Sequence, residues 1–256
     1  MGKGMTREEF ITACGEFFEF SLQSAFRCRD KFPEETLSQT LEKHTLFTYA
    51  LRSSAGVCRE YPPEAAEFLR ELDRDPEHAA AVFRLALPRI AAANYEGAMQ
   101  PSKSYAPGMS LCWTRPVSDL PPTWCIFHIR NGIQPKSFLN EPDYFAGNFL
   151  RIMDEAERDF PCDTIYTFTW LNSEPRFLRF FPEEWQENLG EPHPGIAANI
   201  GFLGQFINAR GGLNRRTAAQ FLETCELPFK PRRSHCSCAA MRAHLNRNFP
   251  HAEKII

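Results

Sequence analysis

The sequence predicts an α-rich α/β fold: an N-terminal helical array, then a region built on a strand–helix–strand unit, with further helices after it. Three observations carry this. Apolar residues recur at helical spacing through the first hundred residues. The spacing changes to period two in TWCIFHIRN (123–131) and again in DTIYTFTWL (163–171). The segment between them, EPDYFAGNFLRIMDEAERDF (141–160), returns to helical period, with Phe145, Phe149, Ile152, Met153 and Ala156 on one face.

Taken in order, Thr6 and Glu9 form a capping box that starts a helix of about five turns carrying Phe10, Cys14, Phe17, Phe18, Leu22, Ala25 and Phe26. Pro33 is placed to open a second helix with Leu37, Leu41, Leu46, Ala50 and Leu51, since a proline is tolerated in a first turn. Pro62-Pro63 and Asp75-Pro76 punctuate two more, and Pro88 is expected to disturb the last. The proline-rich stretch 101–122 has no sustained period and is read as a surface connection.

The βαβ unit follows, and if its two strands share a sheet the crossover makes them parallel, with both C-terminal ends on one edge. Helices are then expected from Pro175, from Pro182, over 196–209 up to Gly211-Gly212, and over Thr217–Cys225. The final piece, KPRRSHCSCAAMRAHL (230–245), is read as irregular with a helix after Ser237. The organisation is therefore 1–100 helical region, 101–122 connection and 123–256 α/β region with a basic tail, as separate units or one integrated domain.

Composition limits function. With 43% hydrophobic and 24% charged residues the chain is globular in character, although 23 phenylalanines is a heavy load. A net charge of −3 gives no reason to expect nucleic acid or an anionic membrane as partner. The charge is uneven: residues 1–206 sum to −9 and residues 207–256 to +6. A basic tail of this kind either docks on the acidic body or anchors an anionic ligand. No apolar leader and no run of membrane-spanning length occur, and nine cysteines without regular spacing fit reduced thiols, so a cytoplasmic protein is expected.

Ligands of open α/β sheets bind outside the carboxyl ends of the strands. Here the first strand ends in His128, Arg130 and Asn131, the second in Trp170, Asn172 and Ser173. His128 shares a strand face with Trp124, Ile126 and Arg130, and its imidazole titrates in the range useful to a general base. Buried, it would serve as a core hydrogen-bonding group instead. Asn172 and Ser173 have a rival explanation too, as caps for a helix beginning at Pro175. In the expected helix over 196–209, Gln205 and Asn208 would project amides one turn apart, Gly201 and Gly204 would allow close approach, and Arg210 would hold an anion or complement the helix dipole.

Cys225, Cys236, Cys238 and His244 miss the usual zinc spacings, while Arg232, Arg233, His235 and a helix start would favour the thiolate of Cys236 or Cys238. No nucleotide-binding or hydrolase motif occurs, and no cofactor is indicated. These residues predict a small-molecule enzyme of group-transfer or hydrolytic type. His128 and Asn172 would be the catalytic residues, His128 as base or acid; Asn131, Asn172 and Gln205 would orient the substrate or polarise a carbonyl, Ser173 and Asn208 would help to bind it, Arg210 would hold an anionic group, and Trp170 would wall the site. The alternatives are a non-catalytic small-molecule binding protein on the same residues, or a phenylalanine-rich helical module that docks a partner.

Overall fold

In the computed structural model, which describes residues 5–51, 60–100, 104–117 and 119–252, the helices come in chain order with four strands among them. The first are α1 (Arg7–Arg27), α2 (Leu37–His44), α3 (Phe47–Leu51), α4 (Pro63–Leu72) and α5 (Pro76–Met99). They are followed by β1 (Leu111–Thr114), β2 (Trp124–Ile129), α6 (Pro142–Asp159), β3 (Thr164–Thr169), α7 (Pro175–Leu178) and α8 (Glu183–Glu187). The last are α9 (Ile200–Leu203), α10 (Arg215–Thr224), β4 (Arg232–Ser237) and α11 (Cys238–Asn248). The fold is α/β, rich in helix, with a mixed four-stranded sheet. Among the described residues no helix is long and apolar enough to cross a membrane.

The chain divides into two compact units: a helical unit of residues 4–100 and 195–228, and a sheet unit of residues 101–194 and 229–256. The sheet unit is thus discontinuous in sequence, its last strand arriving only after the chain has returned to the helical unit.

In the helical unit, the Thr6 hydroxyl accepts from the Glu9 amide at 3.2 Å and the Glu9 carboxylate accepts from the Thr6 amide at 2.7 Å, which starts α1 as its sequence requires. Pro33 does not open α2: it lies in the preceding turn, and a second capping box, Thr36 with Gln39, starts the helix instead. The expected second helix is two, because Thr45 leaves helical geometry between α2 and α3. Pro63 and Pro76 do take first-turn positions, and Asp75 caps the His78 amide. Pro88 leaves α5 continuous; it is exposed, so the backbone carbonyl it displaces can turn to water. Phe18 meets Phe47, Phe68 and Phe83 at centroid distances of 5.0–6.4 Å, and this aromatic packing is where much of the phenylalanine is spent.

The sheet has the order β1-β2-β3-β4. β2 and β3 are parallel, joined by α6, while β1 and β4 flank them antiparallel. Alternation sorts the strands into two faces. Leu111, Cys125, Phe127, Ile165 and Cys236 face a core with Phe145, Phe149, Phe177, Phe181, Trp185 and Met241. Thr114, Trp124, Ile126, His128, Tyr166, Phe168, Arg233 and His235 occupy the other face, none of them fully buried.

Two strands differ from the sequence expectation. β1 lies inside the proline-rich stretch 101–122, held by pairing Leu111 to Ile129 through Thr114 to Ile126. β4 occupies RRSHCS, expected to be irregular, and pairs with β3 over six positions. Its core side chains are only Ser234 and Cys236, small residues that carry a weak strand signal but fit beneath α8 and α11.

Candidate functional site

The polar end of β3 is a clasp. Asn172 is fully buried, and its amide nitrogen donates to the carbonyl oxygens of Arg232 at 2.8 Å and Thr167 at 3.3 Å. Its amide oxygen accepts from the Trp185 indole at 3.3 Å. Ser173 Oγ donates to the Lys230 carbonyl at 2.6 Å, and Trp170 lies 5.8 Å from Phe229. All three therefore fasten the end of β3 to the segment that begins β4. Neither polar residue caps α7: Thr169 accepts from the Leu171 amide, and Glu174 accepts from the Arg176 amide. The expectation that Asn172 orients a substrate meets a physical obstacle, since both its N–H groups and its oxygen already have protein partners.

The other polar groups have local tasks as well. Asn131 donates to the Lys136 carbonyl at 2.7 Å, shaping the turn after β2. Gln205, Asn208 and Arg210 belong to the helical unit. The helix expected over 196–209 is only α9 and a following 3-10 turn over Gly204–Phe206, so Gln205 and Asn208 do not project from one helical face. Gln205 is buried and donates to the Phe202 carbonyl, whereas Asn208 Oδ1 accepts from the amides of Arg210 and Gly212 and so closes a turn. Arg210 is exposed on that turn, where its charge helps lower the pKa of Glu9 after the larger effect of the Thr6 hydrogen bonds. An open groove of about 490 Å³ in this unit is lined by Gly15, Phe20, Leu213, Ala218 and Leu222. The charged groups along it are already paired, Glu16 with Arg215 and Glu19 with Arg84.

What remains open is the sheet face opposite the core, at the carboxyl ends of β2 and β3. Register places Cys112 beside His128 and Phe168 beside Arg233; the parallel register of β2 and β3, continued by two residues, sets His128 level with Phe168. One row thus reads Cys112, His128, Phe168, Arg233 across all four strands. The Arg233 guanidinium carbon lies 5.5 Å from the Phe168 ring centroid, and His193 lies 5.7 Å from the same ring. At the other end Arg130 sits 4.4 Å over the Tyr105 ring and donates from Nε to the Met109 carbonyl. One row further along, Tyr166 and His235 stand level with Ile126, and Trp124 from the row beyond stacks on His235 at 4.5 Å and approaches Tyr166 at 5.6 Å.

The fixed charges of this face are the guanidinium groups of Arg130 and Arg233. Among the described residues neither Arg130 nor Arg233 forms an ion pair with a carboxylate. His128 is exposed as a residue and shares a 3.0 Å hydrogen bond between Nε2 and the Thr114 hydroxyl, yet burial around its ring lowers its pKa. His235 is lowered by the same cause, against a small opposing effect of Glu184.

Both imidazoles are therefore neutral at pH 7, the form that can accept a proton. Because an unfolded histidine holds its proton to higher pH, this contribution to stability is complete above about pH 6.5 and is lost as pH falls through the lowered folded value. Proton-detected NMR titration should place the His128 midpoint below the ordinary 6.5; a midpoint at or above it would contradict the described environment.

Sequence reasoning found His128 and its face but missed Phe168 and Arg233. The signal was present: Arg233, His235 and Ser237 alternate with Ser234 and Cys236, a period of two hidden by polar residues. Among the described residues no group of three His, Cys, Asp or Glu side chains is arranged to hold a metal ion. Burial raises the pKa of Cys236, which opposes the expected thiolate there. No family model matches the chain, and neither a curated protein nor a solved structure matches it.

Proposed function

We propose that the open sheet face at the carboxyl ends of β2 and β3 binds a small ligand in which an anionic group is joined to a planar ring. The observation that carries this reading is Arg233: exposed, without a described carboxylate partner, and held over Phe168 in the same row as His128. A guanidinium over an aromatic ring keeps its charge and its donors for an anion, while the ring edge and neighbouring aromatics offer stacking surface. Between backbones, Arg130 and Arg233 stand two strand spacings across and one row along from each other, about 12 Å, so an anion on one leaves room for a ring lying over His128 and Phe168.

Binding without turnover is the better supported of the two small-molecule readings, because the amides expected to polarise a substrate are engaged within the protein. Group transfer or hydrolysis rests on His128 alone, as a neutral base beside the ligand.

The test is a thermal-shift and calorimetric comparison using adenosine 5′-monophosphate and phenyl phosphate against adenosine and inorganic phosphate. The joined ligands should bind more tightly than either half, and Arg233→Ala or Phe168→Ala should weaken them by about tenfold without lowering the melting temperature of the free protein. Equal affinity in wild type and both variants would overturn the reading.

A further inference from the structure

The opposite end of the sheet holds three cysteines from separate parts of the chain. Cys162 lies just before β3, Cys238 opens α11 just after β4, and Cys125 lies in β2. Cys162 and Cys238 bring their sulfurs to 3.9 Å, and Cys125 hydrogen bonds to Cys162 as well. Their backbones are already fixed side by side. Thr164 pairs with Ser237 at the end of the β3–β4 ladder, and the Cys238 amide donates to the Asp163 carbonyl at 2.7 Å. Cys238 thus continues the register opposite Asp163, and Cys162, one residue further, lies diagonally beside it, with the sulfurs close enough for a small side-chain movement to join them.

We infer that Cys162 and Cys238 form a hydroperoxide-reactive dithiol, in which Cys162 is the attacking sulfur and Cys238 the resolving one. Cys162 is the least buried of the three, 9% exposed against 4% for Cys238 and 0% for Cys125, and exposed Pro161 and Asp163 stand on either side of it. It also has the activation. Hydrogen bonds from Cys125 and then Cys238 lower its pKa, outweighing burial and the nearby charge of Asp163. Cys238 is pushed the other way, chiefly by the Cys162 interaction and burial, with Glu157 adding to the rise and Arg242 opposing it. Cys162 is both the less buried sulfur and the one on which the hydrogen bonds of the other two cysteines converge, so it is the attacking sulfur and Cys238 the resolving thiol.

The chemistry balances as two steps. The Cys162 thiolate forms an S–O bond with one peroxide oxygen as the O–O bond breaks; the other oxygen leaves as alcohol or water after taking a proton, and Cys162 becomes a sulfenic acid. Cys238 sulfur then forms the S–S bond as the S–O bond breaks. The hydroxyl leaves with the Cys238 proton as water. Two thiols are oxidised and one hydroperoxide is reduced. Cys125 stays reduced, and the disulfide ties the start of β3 to the start of α11.

The experiment treats the full chain with hydrogen peroxide and maps products by mass spectrometry. Wild type should lose two hydrogens, with a disulfide joining the peptides of Cys162 and Cys238. Cys238→Ser should instead accumulate a sulfenic acid at Cys162, trapped by dimedone, and Cys162→Ser should slow total thiol loss by about tenfold. Circular dichroism and melting of both serine variants verify that they are folded before oxidation.

Among the described residues, half-exposed Cys225, which interacts with Cys28 in the helical unit, is the internal competitor. Oxidation that begins there and leaves Cys162 and Cys238 reduced would overturn the assignment. A wild-type disulfide between Cys125 and Cys162 would overturn the pairing.

Discussion

Replacing Asn172 by alanine is expected to destabilise the sheet unit by about 3 kcal/mol, because the carbonyls of Thr167 and Arg232 and the Trp185 indole would all lose a buried partner. The mechanism is desolvation without compensation: at 0% exposure no water stands ready to replace the amide. Ser173→Ala removes a single bond to the Lys230 carbonyl at a half-buried site and should cost about 1 kcal/mol. The comparison separates a clasp from a substrate contact. If Asn172 bound only a ligand, its loss would weaken binding and leave the melting temperature in place; thermal denaturation of the two variants beside wild type decides between these outcomes.

Gly132→Ala should be nearly as damaging, and for a steric reason. A Cβ at this position would lie 2.3 Å from the Met109 carbonyl oxygen and 2.6 Å from its carbon, backbone atoms that no rotamer change can move. Relief requires the start of β1 to withdraw from the end of β2. That movement would pull on the bond from the Gly132 amide to Ser110 Oγ at 3.0 Å and on the bond from the Arg130 amide to the Ser110 carbonyl at 2.9 Å. The cost should be about 2–3 kcal/mol, the range of overpacking against rigid neighbours.

The same displacement reaches the site. Arg130 donates to Met109, so its guanidinium should lose its position over Tyr105, and affinity for an anionic probe should fall together with stability. A melting temperature equal to wild type would contradict the close approach. Buried Asn148 holds this corner from the other side, accepting from the Ser110 amide at 2.7 Å.

The βαβ unit was legible in the sequence because its strands carry Cys125, Phe127 and Ile165 in strict alternation, and its helix carries a complete apolar face. The two flanking strands were hidden for different reasons. β1 is four residues long amid prolines, and its pairing with β2, which no local period encodes, specifies it. β4 buries only small side chains and exposes arginine and histidine, a composition that resembles a loop until its partner strand is known. The helix expected over 196–209 stopped early because Asn208 closes a hairpin-like turn with Gly212 and Leu213, and side-chain bonding of this sort competes with helix.

For the candidate site the division is similar. His128 and Arg130 could be read from one strand, since a face follows from alternation alone. Arg233 could be recognised only after β4 was paired with β3, whose partner positions lie 63 to 73 residues away in sequence, with the Asn172 to Arg232 contact that fastens the two spanning 60. In the polar stretch at the end of β3, Asn172 and Ser173 are explained by that long-range fastening, while the capping falls to Thr169 and Glu174 on either side of them.

The proposed binding of an anionic, ring-bearing ligand by the open sheet face, through Arg233, Phe168 and His128, is tested by NMR mapping of amide and side-chain resonances in the full chain during titration with adenosine 5′-monophosphate. Saturable shifts are expected at His128, Phe168, Arg233 and Arg130, with the buried Asn172 and Trp185 side chains unmoved. Shifts confined to other surfaces, or none at these four residues at saturating ligand, would rule out this face as the binding site.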